Sequence, residues 1–95
     1  MQPDYSLYIM QFFSYDHLPP HLREVSKPFG DLADQVYSRY LDYCETSEGW
    51  PETAVTQETD VALRKLLESK DAAVRAALVV TEIEKARKEL PDEAN

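Results

Sequence analysis

Apolar residues recur at three-and-four spacing through Leu22, Val25, Phe29, Leu32, Ala33, Val36, Tyr40, Tyr43 and Cys44, which makes one continuous stripe on a helix. His17-Leu18-Pro19-Pro20 leads into it. The residue before a proline is held out of the α region while proline suits a first helical turn, so a first helix is predicted over 20–45. Pro28 and Gly30 interrupt the stripe without shifting its phase. That reads as one helix kinked at Pro28, whose ring crowds the carbonyl of Glu24; the alternative is a second helix capped by Ser26 after a tight break.

A second stripe, Leu63, Leu66, Leu67, Lys70, Ala73, Val74, Ala77 and Val80, predicts a second helix over 59–90. Thr56 or Thr59 would cap it, Pro91 would stop it, and Thr81 leaves room for an interruption. Between the helices, a 46–58 connection holds the breakers Ser47-Glu48-Gly49-Trp50-Pro51, with Trp50 either folded back as an anchor or part of a binding surface. The tail from Glu82 is mostly charged and reads as a solvated, fraying helix end, with Glu84 and Lys88 at pairing distance. Residues 5–15 alternate or run apolar with Tyr, Ile and Phe, which predicts an extended amino-terminal arm over 1–18 or a short strand.

Some thirty helical residues at about 1.5 Å each span roughly 45 Å, too long for a compact globule of this size. The fold class expected is therefore all-α, an antiparallel helical hairpin within a single domain. With 95 residues the hairpin buries little apolar surface, and a homo-oligomer is expected.

Charge narrows the partners. Against 10 Lys and Arg stand 18 Asp and Glu, a formal net charge of -8, which repels duplex DNA or RNA but not a small anion entering a local basic pocket. Cys44 is the only cysteine, so neither an intrachain disulfide nor a thiolate metal cage is expected, and a reducing cytoplasm suits the chain. The apolar run Tyr5 to Phe13 is too short for a membrane span and has no cationic region before it. Translation from Met10 is a further option.

No glycine-rich phosphate loop, nucleophile elbow or paired metal histidines appear, so no catalytic residue, metal or cofactor is expected. His17 and His21 are four apart, but Pro19-Pro20 lies between them. Lys70 on the second seam has two readings. Its stem lies along the seam with the ammonium in water or paired with Asp34 or Asp31, or it contacts a phosphate. Lys27 beside the kink, and Arg75, which has Asp71 as an alternative partner, share that ambiguity. With Tyr15 and Phe29 nearby, such cations suit a compact phosphorylated ligand. Arg64 and Lys65 add positive charge, and each taken singly reads as a surface residue.

The string Phe12-Phe13-Ser14-Tyr15-Asp16-His17-Leu18-Pro19-Pro20-His21-Leu22-Arg23-Glu24-Val25-Ser26-Lys27-Pro28-Phe29 and the later block Val61 to Ala76 resemble a helical-hairpin family of actinobacterial phages. That family is related to the anti-CBASS and Thoeris anti-defence sponges. The likeness spans roughly half of the chain. It implies a non-enzymatic protein that sequesters cyclic nucleotide or cyclic ADP-ribose immune messengers in the infected bacterial cytoplasm, assembled as multimers, often hexamers, with pockets between hairpins. Carried over, Tyr15 and His17 would stack and make polar contacts, and Lys27 would hold phosphate. Arg64, Lys70 and Arg75 would come from a second helix, from a neighbouring subunit. The first residues, the Tyr37 to Glu58 insertion and the charged tail depart from the family pattern. Two other readings are a small helical phage adaptor that binds a host protein through its apolar seams, and an enzyme that hydrolyses the messenger.

Overall fold

The structure, a computed structural model, describes residues 7–46 and 53–90. Leu7, Met10 and Phe13 recur every third residue, the period of a 3₁₀ helix, and a 3₁₀ segment occupies Tyr8–Phe13. The Met10 amide donates to the Leu7 carbonyl at 3.2 Å, and these three side chains are buried in the core. This corrects the extended arm for its described part. Local hydrogen bonds and burial at a spacing of three replace alternation, and the segment packs on its own chain against both long helices. A turn follows, closed by the Leu18 amide on the Tyr15 carbonyl at 3.1 Å.

Helix α1 spans Pro20–Thr46. Its first turn has proline where an amide would lack a partner anyway, and the Leu22 and Arg23 amides donate to the Pro19 carbonyl at 3.0 and 2.8 Å. The helix continues through Pro28, so Ser26 lies inside it and caps nothing. The buried face is Leu22, Ser26, Gly30, Ala33 and Tyr40. Leu32, placed on the expected stripe, faces solvent. Three of the buried positions are small, and at Gly30 the reason is steric: a Cβ there would stand 3.0 Å from the Phe13 carbonyl oxygen and 3.1 Å from the Tyr15 ring. Phe13 to Tyr15 therefore crosses α1 in contact with bare backbone.

Helix α2 spans Thr53–Glu89, beginning before the expected 59. Its threonines explain the difference. The Thr59 hydroxyl donates to the Val55 carbonyl at 2.8 Å, that of Thr81 to Ala77 at 3.1 Å, and Thr56 shares a 2.9 Å hydrogen bond with the Tyr40 hydroxyl. Bonded backward to a carbonyl or sideways to α1, they neither cap nor break the helix. The 47–52 part of the connection, with Trp50, lies outside the described residues.

The two helices pack side by side as a hairpin, and the 3₁₀ segment closes a three-element core. Ala33 and Leu63 are fully buried at its centre; burying a leucine contributes about 1.5–3 kcal/mol. At about 1.5 Å per residue α2 is roughly 55 Å long and α1 roughly 40 Å. The carboxyl-terminal part of α2 consequently outruns its partner. Val80, expected on the seam, is 51% exposed for that reason. No described helix is long and apolar enough to cross a membrane.

Candidate functional site

The last carbonyls of a 3₁₀ turn have no partner within it, and one of them recruits a cation. The Lys70 stem runs along the core edge, its ammonium 6.0 Å from the centre of the Phe13 ring, and Nζ donates to the Phe12 carbonyl at 2.7 Å. Its side chain is only 12% exposed, and Asp71 stands 3.8 Å away. Neither Asp31 nor Asp34, the partners considered from sequence, receives it. A lysine breaks the α2 seam because it tethers the amino-terminal segment.

That tether forms one wall of an open-sided cleft of about 400 Å³. His17 and Leu18 from the turn, Gln11 and Ser14 from the segment before it, and Asp71, Val74 and Arg75 from α2 complete the lining. Of the sequence candidates, His17, Lys70 and Arg75 meet here. Arg75 does not pair with Asp71: among the described residues the ion pairs are Lys27–Asp31, Arg64–Asp60 and Lys70–Asp71. Chemically the cleft offers a guanidinium, an imidazole, an amide and a hydroxyl over an apolar floor, with the Asp71 carboxylate at one side.

The other candidates lie elsewhere. Tyr15 lines a separate hollow of about 360 Å³ with Met10, Asp16, Gly30, Asp34 and Tyr37. Its hydroxyl donates to Asp31 at 3.4 Å, and Lys27 Nζ reaches the other oxygen of that carboxylate at 2.7 Å. The hydrogen bond and charge of Asp31, with a smaller contribution from Tyr15, raise the Lys27 ammonium above its ordinary value. Arg64 borders a third hollow beside Leu7, Tyr8, Ile9 and Phe12, and bonds Asp60 at 2.6 Å, which raises its guanidinium likewise. Both cations are already neutralised and solvent-exposed.

Gln11 and Ser14 escaped the sequence reading, which treated their segment as extended. The spacing of Leu7, Met10 and Phe13 was the available signal, since a three-residue period turns Gln11 away from the core-facing positions, and Ser14 follows the segment in extended backbone. His21 sits in the first turn of α1, exposed and outside the cleft. Among the described residues no group of His, Cys, Asp and Glu is arranged to hold a metal ion. Comparison of the chain with protein-family models, curated proteins and solved structures finds no match to any of them.

Proposed function

We propose that this chain is a phage anti-defence protein that binds a compact phosphorylated immune messenger, of the cyclic nucleotide or cyclic ADP-ribose class, in the cleft between the amino-terminal turn and α2, and holds it without turnover. The observation that carries the reading is the convergence of His17, Lys70 and Arg75 from separate parts of a chain of net charge -8. The messenger class rests on the resemblance of the Phe12–Phe29 and Val61–Ala76 strings to the phage helical-hairpin family that is related to the sponges. Charge-assisted contacts to a desolvated phosphate contribute about 1.5–3 kcal/mol each, enough in combination for tight binding. A cleft of about 400 Å³ is at the small end of ligand pockets, roughly 300–1,000 Å³. It suits one phosphorylated ribonucleoside, and a whole cyclic dinucleotide would be shared by the clefts of two copies.

In this reading Arg75 is the principal phosphate contact, Lys70 contributes charge while keeping its tether, and His17 and Gln11 supply hydrogen bonds. Lys27, Arg64 and Tyr15 support the fold, and function requires an assembly in the host cytoplasm. The test is thermal-shift screening of the full chain against cyclic dinucleotides, cyclic trinucleotides and cyclic ADP-ribose isomers, followed by denaturation of the complex. Stabilisation by one class and release of the messenger unchanged support a sponge; release of an altered product means an enzyme. No stabilisation by any of them, with a host protein co-purifying, supports an adaptor. That second reading is favoured by the apolar residues left open on the far end of α2.

A further inference from the structure

The free end of α2 carries a second apolar stripe, distinct from the seam. Ala72, Ala76, Val79, Ile83 and Ala86, with Leu90 one residue past the helix end, follow one another at alternating spacings of four and three, the period that places residues along one coiled-coil edge. At about 100° per residue this edge lies on the side of α2 opposite Leu63, Lys70 and Ala77, which face the hairpin core. Neither α1 nor the 3₁₀ segment covers it. All six residues are exposed, and Val79, Ile83 and Leu90 are 56%, 47% and 67% open. On the core side, by contrast, the helix turns polar once α1 has ended, at Thr81, Glu84, Lys85 and Lys88. The end of α2 has thus exchanged an inward apolar face for an outward one, which a merely fraying end would not do.

We infer that this stripe pairs with the same stripe of a second copy, in parallel, as a short two-helix coiled coil. The flanks select the occupant and the direction. Glu82 lies on one side of the stripe and Arg87 on the other, neither in an ion pair among the described residues. In the parallel arrangement each Glu82 lies beside Arg87 of the second copy, five residues on, so two attractive pairs form by symmetry. The reverse arrangement with the same overlap also forms two attractive pairs, Arg75 with Glu89 of the second copy, but sets Glu82 against Glu82 at its centre, so the parallel arrangement is the one free of repulsion. A stretch of some two and a half heptads falls at the low end of stable interfaces, which bury about 1,200–2,000 Å², so the dimer is reversible at micromolar protein. The pairing stands whether or not the cleft binds a messenger.

Sedimentation velocity of the full chain, from micromolar to millimolar concentration, tests this without any ligand. A monomer–dimer equilibrium is expected, weakened about tenfold or more by Ile83→Glu with helicity by circular dichroism unchanged, since Ile83 lies beyond the end of α1. Glu82→Arg alone and Arg87→Glu alone should each weaken association, and the double exchange should restore it. A chain that stays monomeric throughout, or a dimer indifferent to Ile83→Glu, overturns the interface. Failure of the double exchange to restore association overturns the parallel direction.

Discussion

Lys70 Nζ reaches back 58 residues in sequence to hold the Phe12 carbonyl at 2.7 Å, joining the middle of α2 to the end of the 3₁₀ segment. One contact therefore fixes the wall of the cleft and closes the core over Phe13. A cation on the seam is thus first a structural residue, and any ligand role it has is additional.

Lys70→Met keeps the apolar stem but removes the donor. A hydrogen bond from a charged group contributes about 1.5–3 kcal/mol, reduced here by partial exposure to about 1–2 kcal/mol. Urea denaturation should show that loss, and hydrogen exchange should quicken at Met10 to Phe13 before it quickens in Leu63. An unchanged midpoint would mean the tether is incidental.

At Gly30 two effects oppose each other. Alanine is the better helix residue by about 1 kcal/mol, but its Cβ would meet the Phe13 carbonyl oxygen at 3.0 Å and the Tyr15 ring at 3.1 Å. Overpacking of this kind costs about 1–3 kcal/mol, and the backbone on the far side is held by the Lys70 tether. Gly30→Ala should therefore lower stability by about 1 kcal/mol; a stabilised protein would show that the crossing yields easily.

Ser26 is the reverse case. It is fully buried, and its hydroxyl has no hydrogen-bond partner among the described residues. Ser26→Ala removes a desolvated, unsatisfied oxygen and improves helix propensity, so a gain of about 1 kcal/mol is expected in the same denaturation assay. A loss would reveal a partner for the hydroxyl in solution.

The Tyr40 phenol gives the fold an alkaline limit. Its bond with the Thr56 hydroxyl favours ionisation, but burial and the neighbouring Cys44 and Tyr37 outweigh it and raise the group above its ordinary 10.0. A raised pKa binds the proton more tightly in the folded state, so the contribution is full below pH 10.0 and is lost as pH rises through the folded value. Denaturation of the native chain and of Tyr40→Phe across that range should show a steeper alkaline decline in the native chain; parallel declines would contradict the shift.

The helical hairpin was legible because two long stripes with helical period leave few other folds. The first helix was located closely, since Pro20 and the stripe agree on its start. The amino-terminal segment was misread because its aromatic and β-branched content argued for a strand while the decisive feature was the three-residue spacing of Leu7, Met10 and Phe13. In the sequence Ser26 enters only as the cap of an alternative break and Gly30 only as an interruption of the stripe; their packing role is not legible, because closeness of approach depends on what crosses them. The same holds for the candidate site. Lys70 and Arg75 were visible as cations near a seam, but their separation from Lys27 and Arg64 depends on Asp31 and Asp60, one turn along each helix.

Arg75 gives the cleanest access to the cleft, being exposed and outside every ion pair found among the described residues. The decisive measurement is titration calorimetry of the native chain and of Arg75→Glu against cyclic dinucleotides, cyclic trinucleotides and cyclic ADP-ribose isomers. Saturable binding of one class by the native chain, weakened about a hundredfold or more in Arg75→Glu with the fold intact, is the expected result. No binding of any of these by the native chain, or equal binding by both proteins, would contradict it.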